Sequence, residues 1–157
     1  MIALAQTGPP AIPQFEDVAR QAGLTVPNIS SKDEYYIVES MSGGAGFIDC
    51  DNDGKLDILT VNGSTIDRYR QSEDLMVTLF HQDANLKFTD ITKSAGLARK
   101  GWGMGVSVVD FDNDDWQDLY VTGYGGNVLY RNLGNCKFED VTEKAGVRVG
   151  GFSAGAA

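Results

Sequence analysis

The residues best suited to chemistry lie in one short run, DCDNDGKLD, where Asp49, Asp51, Asp53 and Asp57 occupy positions 1, 3, 5 and 9 and Gly54 position 6. Alternate residues of a tight loop converge on one point, and glycine at position 6 lets the backbone turn sharply enough to keep them converging. Carboxylates gathered so closely repel one another unless a cation sits among them. The donors are all oxygen, which selects a hard ion, and Ca²⁺ tolerates irregular geometry better than Mg²⁺. The expected ligands are the side chains of Asp49, Asp51, Asp53 and Asp57 and the backbone carbonyl of Lys55. A second run, DFDNDDWQD, repeats the spacing with Asp110, Asp112, Asp114 and Asp118 and the carbonyl of Trp116. There Asp115 replaces the glycine, at a conformational cost that predicts a weaker site. Two Ca²⁺ would take the formal charge from −9 to −5. An EF-hand starts with the same D-x-D-x-D-G but needs an acidic ligand at position 12, where this chain has Thr60 and Val121 inside β-patterned runs. Acidic residues merely decorating exposed turns would explain the charge but not the repeated spacing.

The elements that position these loops repeat as well. One phrase occurs three times, FEDVARQAGL from Phe15, FTDITKSAGL from Phe88 and FEDVTEKAGV from Phe138. A second occurs twice, GAGFIDCDNDGKLDILTVNG from Gly44 and GVSVVDFDNDDWQDLYVTGY from Gly105. The period is 50 residues between Phe88 and Phe138 and 61 between Asp49 and Asp110, the excess falling in IDRYRQSEDLM, read as a loop insertion. A period near 50 with only short strands points to propeller blades or another stacked β repeat. In the second unit the strands are expected at 106–109, 119–122, 128–131 and 138–141, with the TEKAGV segment a turn. An extra strand is expected over Tyr35–Glu39, and helix content should be low. GFSAGAA aligns Gly155 with Gly105 and Gly44, just short of a third acidic loop. The fold class is thus all-β, a partial β-propeller of about two and a half four-stranded antiparallel blades over 14–157.

Composition narrows the function. With 13 Lys+Arg against 22 Asp+Glu, a nucleic-acid surface is excluded as the natural reading, and no apolar run approaches the ~18–20 residues of a spanning helix. Residues 1–13 read as an unstructured lead-in or a signal-peptide remnant, since Ala3-Leu4-Ala5 followed by Gln6 is like the tail of a secretory signal; the alternative is an ordinary chain start. Cys50 and Cys136 could form one bridge in an oxidising compartment, but they lie in different contexts and match no zinc spacing, so the expectation is two unpaired residues near turns.

DxDxDGxxD between short strands, followed by VNG and later NxGxxxFxDVTxxAG, resembles the FG-GAP or VCBS repeat of integrin-type β-propellers. YYIVESMSGGAGFIDCDNDGKLDILTVNG, GWGMGVSVVDFDNDDWQDLYVTGYG and LYRNLGNCKFEDVTEKAGV resemble more narrowly the cartilage-acidic-protein and ASPIC/UnbV branch. The resemblance covers roughly 15–157. It implies calcium in the loops joining the first two strands of each blade, and an N-terminal part of a longer chain with about seven blades; a subunit completed by neighbours is the alternative.

No catalytic apparatus is expected. The sole histidine, His81, reads as a surface residue at a strand end, and no Ser or Cys has a nucleophile-elbow setting. Trp102, Trp116, Tyr120, Tyr124 and Tyr130 could stack on a sugar or partner, or pack between blades. The reading is a non-enzymatic, calcium-binding module, secreted, periplasmic or at the cell surface, that serves binding, adhesion or structure in a larger assembly with a protein or glycan partner or neighbouring subunits. The alternatives are a propeller accessory to a polysaccharide lyase or dehydrogenase lying outside this stretch, and a filament subunit.

Overall fold

The computed structural model describes residues 12–26, 29–31, 36–41 and 43–155. The expected signal-like stretch falls almost wholly outside these residues, as does Tyr35. In chain order the elements are α1 (Ala19–Ala22), α2 (Ile37–Ser40), β1 (Gly44–Ile48), β2 (Asp57–Val61), α3 (Ile66–Arg70), β3 (Val77–Gln82), β4 (Phe88–Asp90), β5 (Trp102–Val109), β6 (Asp118–Tyr124), β7 (Val128–Asn132) and β8 (Phe138–Asp140). The strands form two four-stranded antiparallel meanders, β1-β2-β3-β4 and β5-β6-β7-β8. Among the described residues the sheets do not close a ring.

Each sheet follows from period-2 patterning: β2 alternates buried and half-buried residues along DILTV. The β3–β4 and β7–β8 hairpins turn through left-handed pairs, Asn85-Leu86 and Asn135-Cys136, closed by Lys87 N–H to Ala84 O and Lys137 N–H to Gly134 O. The thrice-repeated phrase has a local cause. Thr92 Oγ1 donates to Asp90 (2.6 Å) and accepts from Leu79 N–H, and Thr142 does the same with Asp140 and Leu129. In the N-terminal copy Asp17 accepts from Ala19 N–H. In its first two copies the phrase ends in a left-handed glycine that abuts the next unit: a Cβ on Gly23 would lie 2.4 Å from Phe88 O, and one on Gly96 2.5 Å from Phe138 O.

The sheets meet at β1 and β5, close enough that a Cβ on Gly46 would lie 3.2 Å from Val106. Ile48, Leu59, Val77 and Leu79 of one sheet and Leu119, Val121, Val128 and Tyr130 of the other belong to one buried core. The residues after the second sheet pack back on its β6 strand. Phe152 bridges to Tyr124, and Ser153 N–H donates to Gly123 O as Gly103 N–H does to Asn62 O.

Two local expectations are corrected. Ile37–Ser40 is a helical turn instead of a strand, because Glu39 turns inward and accepts from Ser31 N–H and from Ile66 N–H at the start of α3. The insertion is partly helical: Thr65 caps α3 by accepting from Arg68 N–H, and Arg68 makes a two-pronged contact with Asp74. Tyr69 of α3 then packs edge-on against Tyr124 and beside Trp102, so the insertion ties the first unit to the second.

Candidate metal centres

The two acidic loops occupy the same place in the two sheets, 49–57 between β1 and β2 and 110–118 between β5 and β6. Most of their backbone-to-carboxylate bonds correspond. Asp49 accepts from the N–H groups of Asp53 (3.0 Å) and Gly54 (2.9 Å), and Asp110 from those of Asp114 (3.2 Å) and Asp115 (3.1 Å). Asp53 accepts from Lys55 N–H and Asp114 from Trp116 N–H. Asp57 accepts from the N–H groups of Cys50 (3.1 Å) and Gln82 (2.8 Å), and Asp118 from Phe111 (3.0 Å) and Asn132 (2.7 Å). The backbone agrees as well: φ is 57° at Asn52 and 59° at Asn113, 82° at Gly54 and 69° at Asp115. Asp115 therefore adopts the left-handed conformation that the glycine takes freely, at the cost expected of a residue with a Cβ.

The sequence-predicted ligands are brought together in part. Carboxylate oxygens of Asp49, Asp51 and Asp53 lie within 4.8 Å of one another, as do those of Asp110, Asp112 and Asp118. Three atoms so spaced share a centre within about 2.8 Å of each, close to the ~2.3–2.6 Å of a Ca²⁺–oxygen bond. Asp57 anchors the base of its loop and groups instead with the two cysteines. Asp114 is drawn toward Arg131, at 2.8 Å. Lys55 and Trp116 occupy equivalent positions, and the Lys55 ammonium also contacts Asp53. Trp116 lies over Gly134, where a Cβ would sit 3.1 Å from its ring.

Electrostatics separates the carboxylates. Burial pushes Asp57 and Asp118 above the usual carboxylate range, against the hydrogen bonds each accepts from two backbone N–H groups. The Lys55 ammonium hydrogen-bonded to Asp53 holds that carboxyl below the range. Such a donor set, hard and anionic, fits a divalent oxygen-seeking ion.

Two residues face the loops that the sequence does not place there: His81, expected at the surface of a strand end, and Arg131. His81 on β3 lies 3.1 Å from Asp51 and 3.5 Å from Asp83. Burial opposes its charged form, but the hydrogen bonds to Asp51 and Asp83 and the field of Asp57 outweigh burial and raise its pKa. Arg131 on β7 lies 2.7 Å from Asp112 and 2.8 Å from Asp114. His81 and Arg131 stand the same seven residues before Phe88 and Phe138, a correspondence available from the repeat alignment.

The expectation for the cysteines is overturned. Cys50 and Cys136 form a disulfide, and both are buried. The β1–β2 loop of one unit lies beside the β7–β8 turn of the next, and Cys136 N–H also donates to Cys50 O (3.0 Å). The pairing is invisible in the spacing because packing of one sheet on the other creates it. Of the aromatic residues, Trp102 and Tyr130 are fully buried and Tyr124 packs against Trp102, so these three serve packing.

Residues 49–121 match the family model of the FG-GAP-like repeat. The matched stretch runs from the first carboxylate of the first loop through the whole of the second loop into β6, so the FG-GAP-like signal coincides with the two duplicated centres. Comparison with curated proteins finds no match. The FG-GAP-like repeat suggests a β-propeller-type binding or adhesion module. Among the described residues no helix is long and apolar enough to cross a membrane.

Proposed function

We propose that the chain is a calcium-binding segment of a β-propeller, its two sheets being blades, that acts outside the cytoplasm as a non-enzymatic binding, adhesion or structural module of a larger assembly. The observation that carries this reading is the shared backbone-to-carboxylate bonding of the two acidic loops, each with three carboxylates converging, Asp49, Asp51 and Asp53 in the first and Asp110, Asp112 and Asp118 in the second. Bound there, Ca²⁺ supplies a positive charge that cancels carboxylate repulsion. The chain's residues do the rest: backbone N–H groups orient Asp49 and Asp110, and buried Asp57 and Asp118 tie each loop to the neighbouring strand. The narrower likeness to the cartilage-acidic-protein and ASPIC/UnbV branch, and the place of this stretch in a longer chain, belong to the same proposal.

The disulfide supports an oxidising compartment. His81, the sole histidine of the sequence, is already engaged by Asp51 and Asp83, which favours a binding role over acid–base chemistry. Thermal unfolding of the chain in Ca²⁺ and in chelator tests the reading: the midpoint should rise with Ca²⁺, and an unchanged midpoint counts against it.

A further inference from the structure

The first acidic loop is held from two sides. Its own sheet supplies the aspartates, whereas the second sheet fixes much of the backbone that carries them. Asp49 N–H donates to Gln117 Oε1 (2.9 Å), and the Asn52 side-chain amide donates to Asp115 O (3.1 Å). Cys50 O accepts from Cys136 N–H (3.0 Å) and from Asn132 Nδ2 (3.0 Å), while Cys50 Sγ is bonded to Cys136. Asn132 and Cys50 are both fully buried. These links fall on Asp49, Cys50 and Asn52, in and between the residues whose carboxylates converge. The covalent link is peculiar to this loop. Phe111 takes the place of Cys50 in the second loop and Leu86 takes that of Cys136 in the first sheet, and both are exposed.

We infer that the first loop is a composite site whose ion affinity is set by the second sheet, through Gln117, Asn132 and the Cys50–Cys136 disulfide, so that reduction weakens the first site and spares the second. The inference rests on the calcium reading above. A loop freed from the second sheet must be ordered again each time an ion binds, and that ordering subtracts from the binding free energy. Groups that orient ligands without touching the ion commonly set metal affinity by about 10–100-fold. Linkage makes the effect reciprocal: an ion in the first loop makes the disulfide harder to reduce by the same factor. Reduction here means attack by a dithiol, which becomes a cyclic disulfide while Cys50 and Cys136 each gain a hydrogen. Gln117 and Asn132 are positioning residues in this scheme.

The test is calorimetric Ca²⁺ titration of two variants of the whole chain, one keeping only the first loop (Asp112→Ala with Asp114→Ala) and one keeping only the second (Asp49→Ala with Asp51→Ala). Each is measured oxidised, reduced with dithiothreitol, and as Cys50→Ser with Cys136→Ser. First-loop affinity should fall about tenfold or more when the bridge is lost, while second-loop affinity stays within about twofold. Gln117→Ala should cost the first loop about three- to tenfold, and Gln117→Glu, which keeps the acceptor for Asp49 N–H, should retain affinity. Saturating Ca²⁺ should shift the dithiothreitol equilibrium of the first-loop variant toward the disulfide by the factor seen in affinity. First-loop affinity indifferent to reduction, or both loops weakening together, overturns the inference and leaves the calcium reading standing. Absence of Ca²⁺ binding by either loop in the oxidised chain defeats the calcium reading, and this inference with it.

Discussion

Replacing Cys50 and Cys136 together by serine should produce the largest stability loss available from two isosteric changes in this chain. The bridge closes a loop with a sequence separation of 86 residues. Chain-entropy arithmetic for a loop of that length gives about 4.6 kcal/mol, and native-state strain with residual order in the unfolded chain brings measured values down to about 2–4 kcal/mol. Serine removes the covalent link alone; Cys136 N–H and Asn132 Nδ2 can still donate to Cys50 O in the folded chain, but these bonds hold the loop to the second sheet less tightly than the bridge does. Unfolding entropy scales as about 2.1 cal/mol/K per residue, or about 0.33 kcal/mol/K for 157 residues, so the midpoint should drop by roughly 6–12 °C. Differential scanning calorimetry at fixed Ca²⁺, with thiol quantification on the unfolded parent, makes the comparison. Two free thiols in the parent, or a drop below about 2 °C, would show that no bridge of this strength links the two sheets.

Other substitutions probe separate parts of the account. Gly96→Ala combines a left-handed φ of 87° with a Cβ 2.5 Å from Phe138 O, so it should cost more than the ~1–2 kcal/mol of the backbone conformation alone. Gly54→Ala, at φ 82° with nothing within 4 Å, should cost only that amount; urea denaturation of both variants checks the ranking. Asp115→Gly relieves a φ of 69° and should stabilise the chain by up to about 1 kcal/mol while tightening the second loop's hold on Ca²⁺, read by denaturation and titration. The Arg68 guanidinium, with help from Ser64, holds the Asp74 carboxyl below its usual 3.8. A depressed folded-state pKa gives stability that is fully present above the unfolded value and lost as pH falls through the folded one. The melting advantage of the parent over Asp74→Asn should therefore be complete above about pH 5 and fade below about pH 4.

What the sequence made legible was whatever repeats or lies close along the chain. The duplicated D-x-D-x-D spacing located both loops, and the expected strands 106–109, 119–122, 128–131 and 138–141 overlap β5, β6, β7 and β8. β5 begins at Trp102, before the expected strand 106–109; a Cβ on Gly103 would sit 2.4 Å from Met76 O, so glycine there permits close approach instead of breaking the strand. Long-range chemistry stayed hidden. The Cys50–Cys136 bond and the reach of Gln117 to Asp49 both arise where one sheet meets the next, and no local pattern encodes that juxtaposition. Likewise, Ile37–Ser40 carried a β-like pattern that tertiary bonds to Glu39 overrode.

Counting bound calcium per chain in equilibrium dialysis, for the parent and for Asp51→Ala and Asp112→Ala, shows whether each acidic loop holds one Ca²⁺. The parent should hold two ions and each variant one. A parent that retains none, or variants that retain as many as the parent, would contradict one ion per loop.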